Sequence, residues 1–306
     1  MITEYPKEFA GIISSAKALK KPMRVAVAAA DAENILRGVL AAEDDGFVEP
    51  ILIGNEAKIR AVLDKIGESS RKVHIEEACG GDNPVQYAIE MINAGGADVL
   101  MRGNTQTRDY LLPVLNKANH LIRENSLVTH VVFLKIPGYD RLLAISDVTL
   151  LIRPTADEKI EVLKNMVEAM KTLGIEHPNI ALLSMIEKPA FHMRDTVEDQ
   201  TICRNHADRP YADCNIVGPI SYDLIISREA AELKNYNCEY SGSFDGIVVP
   251  DLMSGNLLVK SIQLHTGALG FSLLVGAKIP IAIAGRSDAP EQTYLSLAAC
   301  AAGVGD

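Results

Sequence analysis

Four times within its first 120 residues the chain passes from a short apolar run into an amphipathic stretch, and this alternation constrains the fold more than any other feature. "MRVAVAAA" (23–30) leads into "DAENILRGVLAAED", with Asp31 as the expected N-cap. "VEPILIGN" leads into "EAKIRAVLDKIG", and "KVHIEEA" into "NPVQYAIEMINAGG", which carries Pro84 in its first turn. "ADVLMRG" leads into "TRDYLLPVLNKANH". Continuous apolar runs read as strands buried on both faces, and helical periodicity after each run supplies the cover. Strands alternating with helices predict an α/β fold built on a mainly parallel sheet.

The alternation breaks once. "LVTHVVFLKI" (127–136) and "RLLAISDVT" (141–149) are separated only by a Pro-Gly turn at 137–138, which predicts an antiparallel hairpin. A long helix follows, "TADEKIEVLKNMVEAMKTLG", with Thr155 as N-cap, Glu158 completing a capping box and Gly174 as the stop. Beyond it come "NIALLSMI", a helix near 195–207, "DCNIVGPIS", a helix near 222–236, "FDGIVVPD", a helix near 255–266, "KIPIAIAG" and a final helix in "APEQTYLSLAACAAG". A domain change is placed near residue 140, at the hairpin. No repeat of fixed period is present.

With 306 residues, 48% of them hydrophobic, the chain has ample core-forming material. Its 30 Lys and Arg against 40 Asp and Glu give a net charge of −10, which argues against a general nucleic-acid partner. An anionic ligand would therefore need a local arrangement of Arg, Lys and backbone N–H groups. "MITEYPKEFAG" is not read as a signal peptide, and the longest apolar stretches fall short of a membrane span, so no membrane partner is expected. Cys79, Cys203, Cys214, Cys238 and Cys300 are scattered and lack C-x-x-C spacing. Free thiols in a reducing cytoplasm are expected. The histidines show no metal-ligand spacing, and no metal is expected.

Three strand-to-helix turns carry candidate ligand groups. In "VVPDLMSGNLLVKSI" (248–262) a strand ends at Pro250-Asp251 and a helix follows, with Gly255, Asn256 and, one turn on, Lys260. Ligands of open α/β sheets gather at the carboxyl ends of strands, and a helix N-terminus offers unpaired N–H groups to an anion. Equally, Ser254 or Asn256 could simply cap the helix. "AIAGRSDAPEQTY" (282–294) repeats the shape, with Arg286 at the strand end, Asp288 as N-cap and Glu291 in the first turn. A guanidinium there can grip phosphate in two-pronged fashion, or can pair with Asp288 or Glu291 at the surface. "MRGNTQTRD" (101–109) is the third turn, with Gly103, Asn104, Arg108 and the capping candidates Thr105 and Thr107. Together the three predict one polyanion-binding cleft.

These stretches, with "YDRLLAISDVTLLIRPT" (139–155), "GPISYD" (218–223) and "RSDAPE" (286–291), resemble the phosphate acetyl/butyryltransferase family in the same order along the chain, and its butyryl branch more closely. The resemblance implies a two-domain αβα fold like that of isocitrate and isopropylmalate dehydrogenases. Domain one would comprise 1–140 with 289–306, and 141–288 would form a second domain carrying a homodimer interface. It implies the reaction acyl-CoA + phosphate = acyl phosphate + CoA through a ternary complex, with coenzyme A as substrate and no permanently bound cofactor. Arg286 is then the phosphate or acyl-phosphate ligand, and Asp251, Gly255, Asn256, Lys260, Gly103, Asn104, Thr105, Arg108 and Gln292 are binding candidates. The chain departs from the acetyl branch at Gly285, where that branch has serine, at Gln292, where it has a proposed aspartate base, and at Leu112, where it has arginine. Arg108 or Arg102 is the candidate substitute for the last. Glu291 is the nearest candidate base, Asp288 the next, and Ser287 a hydroxyl one position along. Loss of catalysis with ligand binding retained, or another activity on the same fold such as a metal-dependent dehydrogenase, are the alternatives.

Overall fold

A computed structural model describes residues 5–78 and 83–304; Cys79 lies outside the described residues. In chain order the strands are β1 (Met23–Ala28), β2 (Val48–Gly54), β3 (His74–Glu77), β4 (Val99–Arg102), β5 (Thr129–Lys135), β6 (Leu142–Ser146), β7 (Asn179–Leu183), β8 (Asn215–Ile220), β9 (Gly246–Val248), β10 (Leu269–Val275) and β11 (Ile281–Ile283). The helices are α1 (Ala10–Lys17), α2 (Glu33–Asp44), α3 (Glu56–Lys65), α4 (Pro84–Asn93), α5 (Thr107–Leu115), α6 (Ala156–Thr172), α7 (Arg194–Asp208), α8 (Tyr222–Ile226), α9 (Arg228–Leu233), α10 (Leu252–Thr266) and α11 (Pro290–Val304).

The chain forms two compact units, Met1–Val128 with Phe271–Asp306 and Thr129–Gly270. Their borders fall at 128/129 and 270/271, whereas the sequence places them near 140 and 288. The hairpin strands β5 and β6 pair antiparallel and stay in one unit. In the first unit the strand order is β3-β2-β1-β4-β11-β10, parallel except for β11 with β10. β1 is buried along its whole length except at Arg24, as its unbroken apolar run requires. In the second unit the order is β5-β6-β9-β7-β8, parallel after the hairpin. Its core joins Val132 and Leu134 of β5 to Leu143 and Ile145 of β6, Ile247 of β9 and Val259 and Ile262 of α10.

Local chemistry explains where sequence and structure agree and differ. α6 has the expected capping box: Thr155 accepts from the Glu158 amide at 3.3 Å, and the Glu158 carboxylate accepts from the Thr155 amide at 2.8 Å. Asp31 does not cap α2; Ala30 still donates to Ile53 O at 3.1 Å, tying the chain to the end of β2, and the helix starts only after Ala32. The single helix expected over 222–236 is two, because Ser227 is extended and its hydroxyl accepts from Ala230 N at 3.1 Å to cap a new start. The structure also adds α1 and β10. Among the described residues no helix is long and apolar enough to cross a membrane.

Candidate active site

In the first unit β1, β4 and β11 are parallel neighbours, with Ala28 opposite Arg102 and Ala282 opposite Met101. Their carboxyl ends therefore emerge side by side, and the β4–α5 and β11–α11 turns stand next to each other. Gly103 makes this close approach possible. Its amide donates to Ala28 O at 2.9 Å and the Asn104 amide to Ala29 O at 2.6 Å. A Cβ at 103 would lie 2.6 Å from Ala28 O and run into the Ala29 carbonyl oxygen.

Arg102, the last residue of β4, is only 6% exposed. Its Nε and Nη2 donate to the Thr105 carbonyl oxygen at 3.2 and 2.6 Å, which fixes the plane of the guanidinium. No carboxylate among the described residues forms an ion pair with it. Burial lowers its pKa, the Arg286 charge adds to that, and Tyr110 and Asp288 oppose it. Tyr110 itself is fully buried. Arg286 is exposed. Arg102 and Arg286 are within electrostatic reach of each other, and two neighbouring guanidinium groups favour an anionic ligand beside them.

The β11–α11 turn is clamped from several directions. Asp288 Oδ2 accepts from Gly285 N at 2.6 Å, and Asp288 N donates to Gly285 O at 3.0 Å. From α2, Asn34 Nδ2 donates to Asp288 O at 2.9 Å and Gly285 O at 3.4 Å. Asp288 therefore closes the turn rather than capping α11. The helix start is held instead by Gln292, whose Oε1 accepts from Ala289 N at 3.0 Å. Glu291 is buried; burial first, then the Glu291 charge, raises the pKa of the Tyr5 phenol, which stacks on Tyr294 at 5.4 Å. Ser287 is exposed. In the neighbouring turn Thr105 and Thr107 do not cap α5, whose N-cap is Gln106 without a side-chain bond, and Asn104 and Arg108 are exposed. An uncapped helix start beside Arg102 adds positive potential there.

The third turn belongs to the second unit. α10 begins at Leu252, three residues earlier than expected, because Asp251 caps it by accepting from Ser254 N at 2.7 Å. Neither Ser254 nor Asn256 is the cap. Gly255 is buried inside the first turn, where a Cβ would meet Val249 Cγ2 at 2.8 Å and Asp147 O at 2.9 Å. Asn256 Nδ2 donates to Val148 O at 3.3 Å, and Lys260 is exposed one turn on. Thus both Gly-Asn pairs act as joints, the glycine admitting a neighbouring strand end.

Sequence reasoning undervalued Arg102 and missed Asn34. Arg102 could be suspected only from a cation ending an otherwise apolar run, and Asn34 carries no local signal at all. Among the described residues no group of three or more His, Cys, Asp or Glu side chains could hold a metal ion.

Comparison with known proteins adds a separate line. A family profile described as "Phosphate acetyl/butaryl transferase" matches residues 76–302. The phosphate butyryltransferase of Clostridium acetobutylicum is 30% identical over 300 residues, covering 98% of this chain and 99% of the relative. A branched-chain phosphotransacylase from Enterococcus faecalis has a solved structure similar at a TM-score of 0.78 and 26% identity, over 92% of this chain and 99% of that one. The 4-hydroxythreonine-4-phosphate dehydrogenase of Klebsiella pneumoniae shares the fold alone, at a TM-score of 0.54 and 9% identity, over 92% of this chain and 98% of its own. The dehydrogenase-like α/β fold expected from the sequence is thereby met.

Proposed function

The chain belongs to the phosphate acetyl/butyryl transferase family, and from that premise we propose that it exchanges coenzyme A and inorganic phosphate on a short-chain acyl group, acyl-CoA + phosphate = acyl phosphate + CoA. The observation that carries this is the pair Arg102 and Arg286, two guanidinium groups within electrostatic reach of each other at the adjacent carboxyl ends of β4 and β11.

Phosphate, or the phosphoryl end of an acyl phosphate, binds at Arg286, with the first turn of α5 and the Gly103–Thr105 backbone beside it and Arg108 on the rim. Fixing phosphate against the thioester carbon converts a bimolecular encounter into an oriented one. The guanidinium charge also stabilises negative charge developing on the acyl oxygen. In the second unit Asp251, Gly255 and Asn256 shape the start of α10, and Lys260 is exposed one turn on. Transfer in this reading is direct, in a ternary complex; burial pushes the Cys203, Cys214 and Cys300 thiols up to about 12, so these three are not poised as acyl-accepting thiolates. The likeness of "YDRLLAISD" and "RSDAPE" to the butyryl branch favours butyryl and similar chains over acetyl.

A cytoplasmic location is proposed from the four described cysteines, all free. A homodimer is proposed from the exposed apolar stripe Met253, Leu257 and Leu264 along α10.

The test is to mix the protein with butyryl-CoA and follow thiol release with and without phosphate. Phosphate-dependent release, ranked across acetyl-, butyryl- and branched acyl-CoA, is expected. Absence of release with every acyl-CoA, alongside CoA binding by calorimetry, would overturn the transferase and identify a binding relative.

A further inference from the structure

The β11–α11 turn holds a carboxylate where a side chain of residue 285 would otherwise stand. A Cβ built on Gly285 would lie 2.5 Å from Asp288 Oδ1, 2.9 Å from its Cγ and 3.0 Å from its Oδ2. Residue 285 must therefore be glycine for Asp288 to fold back, and Asp288 is thereby delivered to the strand end itself. The Gly285 amide at 2.6 Å and the Asn34 amide, which grips both Gly285 O and Asp288 O, fix it there. The carboxylate is half-buried and within electrostatic reach of Arg102, which also senses Arg286. Of the other two candidates in this turn, Glu291 is buried in α11, and the Gln292 amide oxygen accepts from Ala289 N.

We infer that Asp288 is the general base of the reaction, resting on the acyltransfer proposed above. In the direction from acyl phosphate to acyl-CoA, the CoA S–H proton passes to the Asp288 carboxylate as the sulfur electron pair forms the C–S bond. The acyl C–O bond to phosphate breaks, and its electron pair leaves on the phosphate, which Arg286 holds. The protonated Asp288 then returns its proton to the departing phosphate. In the opposite direction each step runs in reverse, and Asp288 protonates the leaving thiolate.

Asp288→Asn is the discriminating variant, since the amide oxygen can still accept from Gly285 N and keep the turn. Expected are an unchanged melting temperature, an unchanged KM for phosphate and a fall in kcat of about 100-fold or more. The rise of kcat with pH that reports base ionisation in acyl-CoA formation should also disappear. Gly285→Ala should lower kcat in the wild-type background by displacing the carboxylate, and cost nothing further in Asp288→Asn. Should Asp288→Asn fail to fold, Asp288→Ser is read in the same way. Wild-type kcat and an intact pH profile in the folded Asp288 variant, or additive losses in the double variant, would overturn the assignment while leaving acyltransfer standing. Wild-type protein inactive on every acyl-CoA would overturn both.

Discussion

Gly103→Ala is the sharpest structural perturbation available near the site. A Cβ at this position meets two carbonyl oxygens, Ala29 O and, at 2.6 Å, Ala28 O. Neither can rotate away, because Ala28 O and Ala29 O accept the Gly103 and Asn104 amides at 2.9 and 2.6 Å. Relief requires β4 and the end of β1 to separate, losing those hydrogen bonds and opening the packing beneath. Overpacking a rigid core costs ~1–3 kcal/mol, occasionally more, and two fixed backbone obstacles place this change at the top of that range. About 3 kcal/mol corresponds to a fall in melting temperature of roughly 6–12 °C for a unit of this size. Gly255→Ala should cost less, because one of its obstacles is the movable Val249 side chain at 2.8 Å. Calorimetry on the three proteins, with phosphate KM measured alongside, checks the ranking. A Gly103→Ala protein that melts with the wild type but has lost phosphate affinity would refute the packing role and make the glycine a ligand contact.

Other outcomes follow from the same contacts. Arg286→Ala should raise the KM for phosphate by ~10–100-fold, the worth of one or two charge-assisted hydrogen bonds, and unchanged phosphate kinetics would remove it from the site. Arg24 holds Asp98 through bonds of 2.6 and 3.1 Å and lowers its pKa, so the associated stability is present above about pH 4 and is lost as pH falls through the folded value. Arg24→Met should accordingly bring the Asp98 titration seen by NMR back towards the ordinary carboxylate range and destabilise the protein at pH 7 more than at pH 3. At pH 8 the buried Cys214 and Cys300 should resist a thiol reagent until the protein is unfolded.

Much of the fold is written locally. β1, β2 and β4 are announced by apolar runs, and α6 by a capping box that lies within four residues. What escaped depends on contacts distant in sequence. The late start of α2 follows from the Ala30–Ile53 bond, 23 residues apart. The turn at 285–288 is shaped by Asn34, 251 residues away from Gly285. At the site, Arg286 stood out because a strand-end arginine is visible in sequence. Gly255 and Asn256 are ambiguous in sequence because glycine and asparagine serve ligand cradles, turns and close packing equally well. The structure adds that Asp251 caps α10 and that Gly255 packs closely against Val249 and the Asp147 carbonyl.

Direct transfer of an acyl group between CoA and phosphate fixes the stoichiometry of the products, and that stoichiometry can be measured. Butyryl-CoA and phosphate are incubated with the protein, CoA thiol is counted with a thiol reagent, and acyl phosphate is trapped in parallel as its hydroxamate. Equal amounts of both, each requiring phosphate, are predicted. Thiol release without phosphate, or without matching acyl phosphate, would mean that water accepts the acyl group and would rule out transfer to phosphate.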